Sequence, residues 1–335
     1  MILAGGSGST GSSLLQAILN RHPSVLAGQE TCLFIYPHLF YKWNRYKNYL
    51  LSRGILGVKS TGWSLRNGAD LLHPDYGWER AELESVIRQS TDFKSFVGQF
   101  FKKTMQRTGA VLWVEKTPQN AVSFQVFLRE FPQGRVVQMT RNPLDTMASL
   151  LARGFHPYEA AGYYIYHTAA AASVMGHERY YLVAYEDLVQ RPHLVTRPLL
   201  SFMGVPADDH ILQPTEEELA NPVKIDSWNH SERGTIASTS VGRFQSLPET
   251  EQRLIIAALN VFRISPLHQQ QHGIKLAGYQ ALCQEFCYEY QETDPRPFLA
   301  DFERFRRRDM WRRTLRLHPG NILAYPGIID ENRKG

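Results

Sequence analysis

The sequence predicts an α/β fold with a central, mainly parallel sheet, and three features of the chain lead to this prediction. Residues 2–4 form an apolar run that enters a loop of glycine, serine and threonine at 5–13, after which apolar residues recur at helical spacing. Residues 110–114 form a continuous apolar run of the kind that a buried parallel strand shows. Helical patterns separate such runs, and alternating strands and helices build a parallel sheet covered on both faces.

The remaining elements are predicted in chain order. The aromatic-rich segment 33–49 could form a lid or an acceptor-binding wall, but aromatic residues at mixed spacing are more often core, and we expect core here. The least charged stretch, 160–177, predicts a buried helix rather than a membrane span. Other patterns predict a strand at 55–59, helices at 74–88, 93–105 and after 120, strands at 135–140 and 181–184, and an arginine-rich helix at 298–316.

Composition limits the class of protein and its partners. With 335 residues, 43% hydrophobic and 21% charged, the chain can bury a large core as one domain or as one domain with an appendage. A formal charge of +5 favours anionic partners, including nucleotides, without singling out nucleic acid. Three cysteines argue against a disulfide framework and for a reducing compartment. Because the glycine loop begins by residue 5, we expect no signal peptide and a soluble, cytoplasmic protein.

The loop at 5–13 has the composition of an anion-binding turn, because glycines let backbone N–H groups point inward and a helix N-terminus adds partial positive charge. A nucleoside triphosphatase would need lysine at the helix start, where this chain has Gly11, Ser12 and Ser13. A dinucleotide-binding turn fits the glycine spacing of 6–11, and Glu30 lies near the expected acidic position, but the segment before Glu30 reads as helix and turn instead of strand. A flexible Gly/Ser terminus is the remaining alternative.

A third interpretation comes from resemblance. The run 8–31 resembles the 5′-phosphosulfate loop of sulfotransferases that use 3′-phosphoadenosine 5′-phosphosulfate (PAPS), especially the tyrosylprotein and bacterial branches. Four further phrases occur in family order, namely 115–118, 141–149, 185–189 and the pair 231–235 and 240–244. The resemblance implies a three-layer, P-loop-like fold over 1–265, and we expect 266–335 to be a helical extension packed on that domain. We expect the acidic residues of 185–189 to cap a helix.

The resemblance also implies roles for individual residues. The 5′-phosphosulfate would be held by the loop residues Gly8, Ser9, Thr10, Gly11, Ser12 and Ser13. The 3′-phosphate would be held by Arg141, Ser149 and Arg243, although Asn142 and Pro143 could instead mark a simple helix cap beside a surface arginine. Lys116 would stabilise charge on the transferring group, and Glu30 takes the place of the general base. The reaction implied is metal-free transfer of a sulfonyl group from PAPS to a hydroxyl or amine, leaving adenosine 3′,5′-bisphosphate.

One position departs from the family pattern. Relatives carry arginine or lysine just before the Ser-Gly-Thr-Thr phrase, where this chain has Ser9, and a neutral hydroxyl cannot supply that charge. Either Lys116 or another basic segment compensates, or the protein binds PAPS or a nucleotide with little or no transferase activity. A kinase of an unusual type is a distant third hypothesis. The acceptor, whether small molecule, carbohydrate or peptide, cannot be read from the sequence, and the arginine-rich helix is expected to be a solvated face that covers the core.

Overall fold

The computed structural model describes residues 1–50, 75–216, 218, 235–294 and 296–315, and the predicted strand at 55–59 lies outside them. Its centre is a five-stranded sheet in the order β2-β3-β1-β4-β5, in which every neighbouring pair is parallel. Strands that follow one another in the chain are separated by connections long enough for a crossover, as parallel pairing requires. The strands are β1 (Ile2–Gly6), β2 (Val25–Leu26), β3 (Leu112–Lys116), β4 (Arg135–Thr140) and β5 (Tyr180–Ala184).

Helices cover both faces of this sheet. The α-helices are α1 (Ser12–Asn20), α2 (Leu39–Tyr46), α3 (Arg80–Gln89), α4 (Phe93–Thr108), α5 (Phe124–Glu130), α6 (Pro143–Ala152), α7 (Pro157–Ala172), α8 (Tyr185–Gln190), α9 (Pro192–Met203), α10 (Glu249–Val261), α11 (Pro266–His272), α12 (Tyr279–Glu285) and α13 (Arg296–Leu315). Short 3₁₀ helices lie at Leu33–Ile35, Lys47–Leu50, Pro118–Ser123, Asp209–Leu212 and Arg243–Ser246.

Alternation along β1 divides the core into two layers. Ile2 and Ala4 pack into the cluster that includes side chains of α1, α8 and α9, whereas Leu3 packs into the aromatic cluster of α2, α4 and α5. Consecutive side chains of a strand point to opposite faces, so the central strand joins both layers. The three-layer α/β architecture with a mainly parallel sheet is confirmed.

The aromatic segment after β2 is core, as predicted. Leu33, Phe34, Tyr36 and Trp43 are buried, and the Phe34 ring packs edge-on against the Phe93 ring with 5.4 Å between centroids. One detail of the prediction for β3 is wrong, because Val111 is 72% exposed and the strand begins at Leu112. The backbone N–H of residue 111 bonds to the Ser24 carbonyl before the strand starts.

A third apolar cluster joins α6 and α7 to the segment after residue 265. Tyr164 of α7, Leu259 of α10, Tyr279 of α12 and Phe302 of α13 all belong to it. The buried helix predicted at 160–177 is therefore α7, whose residues from Ala160 to Ala171 are buried. No helix among the described residues is long and apolar enough to cross a membrane.

Candidate functional site

The loop between β1 and α1 is shaped by glycines that no other residue could replace without strain. Gly6 has a φ of 145°, and a Cβ there would collide with the Met139 carbonyl of β4. Gly11 has a φ of 87°, and a Cβ there would collide with the Tyr185 ring. Because α1 begins at the next residue, its unpaired backbone N–H groups and positive dipole end face the loop. The local geometry is that of an anion-binding turn.

Side chains fix the shape of the same loop. The Thr10 hydroxyl donates a hydrogen bond of 2.7 Å to the Ser7 carbonyl, and both residues are fully buried. Gly8 lies against the Tyr163 ring of α7, and a Cβ at this position would come within 3.0 Å of the ring. Ser9 has a φ of 64°, a conformation that residues other than Gly, Asn, Asp and His seldom adopt. The loop is thus held by its internal hydrogen bond from Thr10 to Ser7 and by the packing of Tyr163 of α7 against it.

Lys116, the last residue of β3, forms an ion pair with Glu30 from the loop after β2. The Lys116 side chain is 3% exposed and that of Glu30 is 28% exposed, so the carboxylate opens toward solvent and the ammonium does not. The Lys116 Nζ also lies 3.5 Å from the Ser13 hydroxyl, at the start of α1. The two residues predicted to act in catalysis are therefore in direct contact, beside the loop.

Glu115, the residue before Lys116, holds the segment that carries Glu30 in place. No role was assigned to it from the sequence. One of its carboxylate oxygens accepts bonds from the Thr31 N–H at 2.9 Å, the Thr31 hydroxyl at 2.8 Å and the Thr117 hydroxyl at 2.8 Å, and the other accepts from the Asn120 amide. Burial raises the pKa of Glu115, and these hydrogen bonds act in the opposite direction. Thr31 follows Glu30, so these hydrogen bonds hold Glu30, the candidate general base, next to β3, the strand that carries Lys116.

Arg141 lies directly after β4, on the other side of the loop. Its guanidinium donates one bond of 3.0 Å to the Ser9 carbonyl and another to the Ser240 carbonyl, and it packs over the Tyr185 ring at 4.7 Å. The residue is buried, so the alternative of a surface arginine beside a helix cap is wrong. The cap itself exists, because the Asn142 side chain accepts from two N–H groups at the start of α6. Burial lowers the pKa of Arg141, and nearby Arg243 lowers it further.

Asp145, on the first turn of α6, fastens the segment that carries Arg243. Its carboxylate accepts bonds from the Gly242 N–H at 2.7 Å and the Phe244 N–H at 2.9 Å. Arg243, which lies between these two donors, donates to the Ser240 hydroxyl at 3.2 Å. The two arginines predicted for the 3′-phosphate are thus brought together by one buried carboxylate. The companion phrase 231–234 lies outside the described residues.

Of two further predictions for this region, the structure agrees with the one for the position of Ser149 and contradicts the one for Glu186. Ser149 lies on α6 and is half-buried, two turns beyond Arg141, as expected. Glu186 does not cap α8 as predicted, because its carboxylate accepts from the Asn142 N–H at 2.8 Å and from the Tyr288 hydroxyl at 3.1 Å. Those bonds tie the backbone next to Arg141 to the segment after α12. The acidic phrase therefore supports the arginine side of the site.

Arg153, just after α6, is a basic residue at the loop that sequence reasoning did not identify. Its Nη1 donates a 2.7 Å bond to the Ser9 hydroxyl. Burial lowers the pKa of Arg153, while the charges of Tyr163 and Glu30 raise it. A signal existed in the sequence, because Ser149 and Arg153 are four residues apart and so share a face of a helix.

Comparison with known proteins identifies the fold family. A family model described as the sulfotransferase family matches residues 2–209, which is more than half of the chain. This chain belongs to the sulfotransferase family. The sulfotransferase domain of the Synechococcus PCC 7002 olefin synthase is similar in structure, with a TM-score of 0.56 and 18% identity over 87% of this chain and 95% of that domain.

The sulfotransferase domain from the curacin biosynthetic pathway is similar to the same degree, with a TM-score of 0.56, 17% identity, and 87% of this chain and 98% of that domain covered. No curated protein is significantly similar to this chain in sequence. The family membership supports sulfotransfer as the general activity. Within the part of the chain that the structure describes, no group of three or more His, Cys, Asp or Glu side chains could hold a metal ion.

Proposed function

We propose that this sulfotransferase transfers the sulfonyl group of PAPS to an acceptor hydroxyl or amine. The observation that carries the proposal is the meeting of a glycine loop, Lys116 and Glu30 at the carboxyl ends of the central strands, with Arg141 on the other side of the loop. Ligands of open α/β sheets bind at this edge, where the strand order reverses. The loop and the buried cation together suit a phosphosulfate, and a second cationic region suits another phosphate.

The arginine side fits the 3′-phosphate of the donor. Arg141 and Arg243 lie close enough for mutual repulsion, and the Arg141 Nε is buried with no hydrogen-bond partner among the described residues. A phosphate bound there would relieve both conditions, because it is doubly charged and accepts several hydrogen bonds. Ser149, on the helix α6 that begins just after Arg141, would add a hydroxyl. Residues 8–13 would hold the 5′-phosphosulfate with backbone N–H groups and the hydroxyls of Ser12 and Ser13, whereas the Thr10 hydroxyl, expected to take part, donates its proton to the Ser7 carbonyl instead.

The chemistry that PAPS supplies is an activated sulfonyl group, whose S–O bond to the 5′-phosphate breaks as a new bond from sulfur to the acceptor atom forms. Glu30 would accept the proton of the acceptor, since its carboxylate is the one that opens to solvent. Lys116 would lie close to the oxygen that gains negative charge. Transfer of the proton to Glu30 leaves Lys116 free to pair with the departing phosphate, so one ion pair is exchanged for another.

A thermal shift measurement tests the donor assignment. Adenosine 3′,5′-bisphosphate and PAPS should each raise the melting temperature, because a ligand that binds only the folded state stabilises it. ATP with magnesium serves as the control. An equal shift with ATP and magnesium, together with no shift for the bisphosphate, would disprove the assignment.

A second candidate is a PAPS- or nucleotide-binding protein without transferase activity, and Ser9 in the loop is the observation that favours it. Radiolabelled PAPS incubated with hydroxyl and amine acceptors of small-molecule, carbohydrate and peptide classes separates the two. Transfer of label to any acceptor supports the enzyme and names its acceptor class. Tight PAPS binding with no transfer across the panel would support the binding protein.

A further inference from the structure

The loop between β1 and α1 must hold its anion without a basic residue of its own. The first lysine or arginine of the chain is Arg21, which lies beyond α1 and forms an ion pair with Glu218. The positive charge at the loop must therefore come from other elements. Three side chains supply it in the described structure, namely Lys116 from β3, Arg141 after β4 and Arg153 after α6.

Ser9 separates two of these cations. Its carbonyl oxygen accepts from Arg141 at 3.0 Å, and its hydroxyl accepts from Arg153 at 2.7 Å. The side chains that act on Arg141 are Asp145, Glu186 and Arg243, on the side assigned to the 3′-phosphate, and Tyr185, whose ring packs on Arg141 and on Gly11. The side chains that act on Arg153 are Tyr163, which packs on Gly8, and Glu30. Arg153 thus faces the reacting side of the loop and Arg141 the other.

Resting on the proposed function, we propose that Arg153 contacts the 5′-phosphosulfate and supplies the positive charge that the loop lacks, with the Ser9 hydroxyl as its positioning group. A hydroxyl is neutral, so its bond orients the guanidinium without cancelling its charge, and arginine stays protonated in proteins. The planar fork of arginine can bind two oxygens of a phosphate or sulfate at once. Ser9, with its φ of 64°, receives bonds from both arginines.

The competing explanation is structural. Arg153 follows the last residue of α6, and a cation at a helix C-terminus is favourable whether or not a ligand binds. Loss of that interaction would lower stability and would affect all ligands alike. A test must therefore compare ligands that carry a phosphosulfate with ligands that carry only a 3′-phosphate.

The test measures, by calorimetry on the full chain, the affinities of adenosine 5′-phosphosulfate and adenosine 3′-phosphate for the parent, Arg153→Met, Arg153→Lys and Arg141→Met. Arg153→Met should weaken adenosine 5′-phosphosulfate by about tenfold or more and adenosine 3′-phosphate by less than about twofold, and Arg141→Met should show the reverse preference. Arg153→Lys, which keeps the charge, should lose less than Arg153→Met. Arg135→Met is the matched control, since Arg135 bonds to the Met203 carbonyl at the opposite end of β4.

A double-variant comparison tests the role of Ser9. Ser9→Ala should weaken adenosine 5′-phosphosulfate in the parent but have little further effect in Arg153→Met, since residues that act as a unit are not additive. Equal weakening of both ligands by Arg153→Met, or full additivity with Ser9→Ala, would overturn the inference. If the parent binds neither ligand nor the bisphosphate, the proposed function itself fails. Unfolding curves of each variant confirm that binding is compared between folded proteins.

Discussion

The ion pair between Lys116 and Glu30 joins the two residues that we propose to act in catalysis. Lys116 is almost fully buried, and a buried ammonium without a partner is costly, so the contact with Glu30 offsets the cost of placing the lysine beside the loop. Glu30 in turn is positioned through Thr31 and the buried Glu115. The residue that would take the proton is therefore held by the residue that would stabilise the leaving group.

Replacement of Glu30 by glutamine tests the base. Glutamine keeps the size and can still accept a hydrogen bond from Lys116, so affinity for adenosine 3′,5′-bisphosphate should stay within a few-fold of the parent. Turnover should fall by about a hundredfold or more, the usual range for loss of a general base. The measurement is turnover and bisphosphate affinity on the same variant.

Turnover within a few-fold of the parent would remove Glu30 from the mechanism, and a joint loss of turnover and affinity would indicate a damaged donor site. His22 and His38 are the other candidates for accepting the proton. His22 lies beyond the far end of α1, with Nδ1 accepting from the Ser24 N–H and Nε2 3.1 Å from the Pro206 carbonyl, so the search would move to His38.

Single residues also show what the sequence could predict and what it could not. Lys116, Glu30 and Arg141 were predicted from the family resemblance. The sequence pattern supports Lys116 and Arg141 independently, because each lies at the end of a predicted strand and the carboxyl ends of parallel strands meet at one edge. Arg153 and Glu115 were not predicted, because their roles depend on contacts with residues 144 and 84 positions away. Glu186 was misassigned for the same reason, since local capping was weighed and a distant backbone N–H was not.

At the scale of elements, α6 connects the two regions that we propose to bind the donor's phosphate groups. Arg141 precedes the helix, Asp145 on its first turn holds the Gly242 and Phe244 backbone, and Arg153 follows its last turn. Asn142 and Pro143 start the helix, which the sequence predicted from the Asn-Pro phrase. The position of the segment 240–244 was predicted only by resemblance, because no local pattern reports a contact with α6.

Replacement of Asp145 by asparagine tests this connection. An amide presents its NH₂ group to one of the two backbone donors, so at least one buried N–H loses its acceptor, at a cost of about 1–3 kcal/mol in the free energy of unfolding. Affinity for adenosine 3′,5′-bisphosphate should fall as well, because Arg243 is no longer held near Arg141. Denaturant unfolding and calorimetry measure the two effects.

Asp209→Asn is the matched control, because it removes an exposed ion pair with Arg197 far from the loop and should change neither quantity appreciably. An unchanged stability for Asp145→Asn would mean that the segment 240–244 is held by other contacts. Lower stability with full affinity for the bisphosphate would mean that the bonds from Asp145 to the segment 240–244 stabilise the fold without contributing to ligand binding.

For the molecule as a whole, α7 is the element that joins the loop after β1 to the third apolar cluster. It packs on the loop through Tyr163, on α6 and on α10, and nearly all of its residues are buried. The sequence predicted the layers from the order of strands and helices and a buried helix from the low charge of 160–177. It could not predict which side chains of α7 meet the loop, because a helix buried on all sides has no polar face to orient it.

Acid stability provides a test of the packing around α7. His167 is fully enclosed, and its Nδ1 lies 2.8 Å from the Tyr163 carbonyl. Burial lowers the pKa of His167 from 6.5 to about 4. Between those values the unfolded chain binds a proton that the folded protein excludes, so stability is full above about pH 6.5 and is lost as the pH falls toward 4, by on the order of 3 kcal/mol.

His167→Asn, whose amide nitrogen can replace Nδ1, should remove that part of the pH dependence. Glu115, whose pKa is raised by burial, acts with the opposite sign, because its folded form retains a proton that the unfolded chain releases as the pH rises. It is present in both proteins, as are the surface carboxylates, so their effects cancel in the difference. Urea unfolding of parent and variant from pH 7 to pH 4 should show the parent losing stability more steeply. Parallel curves over that range would mean that His167 accepts its proton in the folded state, and that α7 opens to water where the structure has it closed.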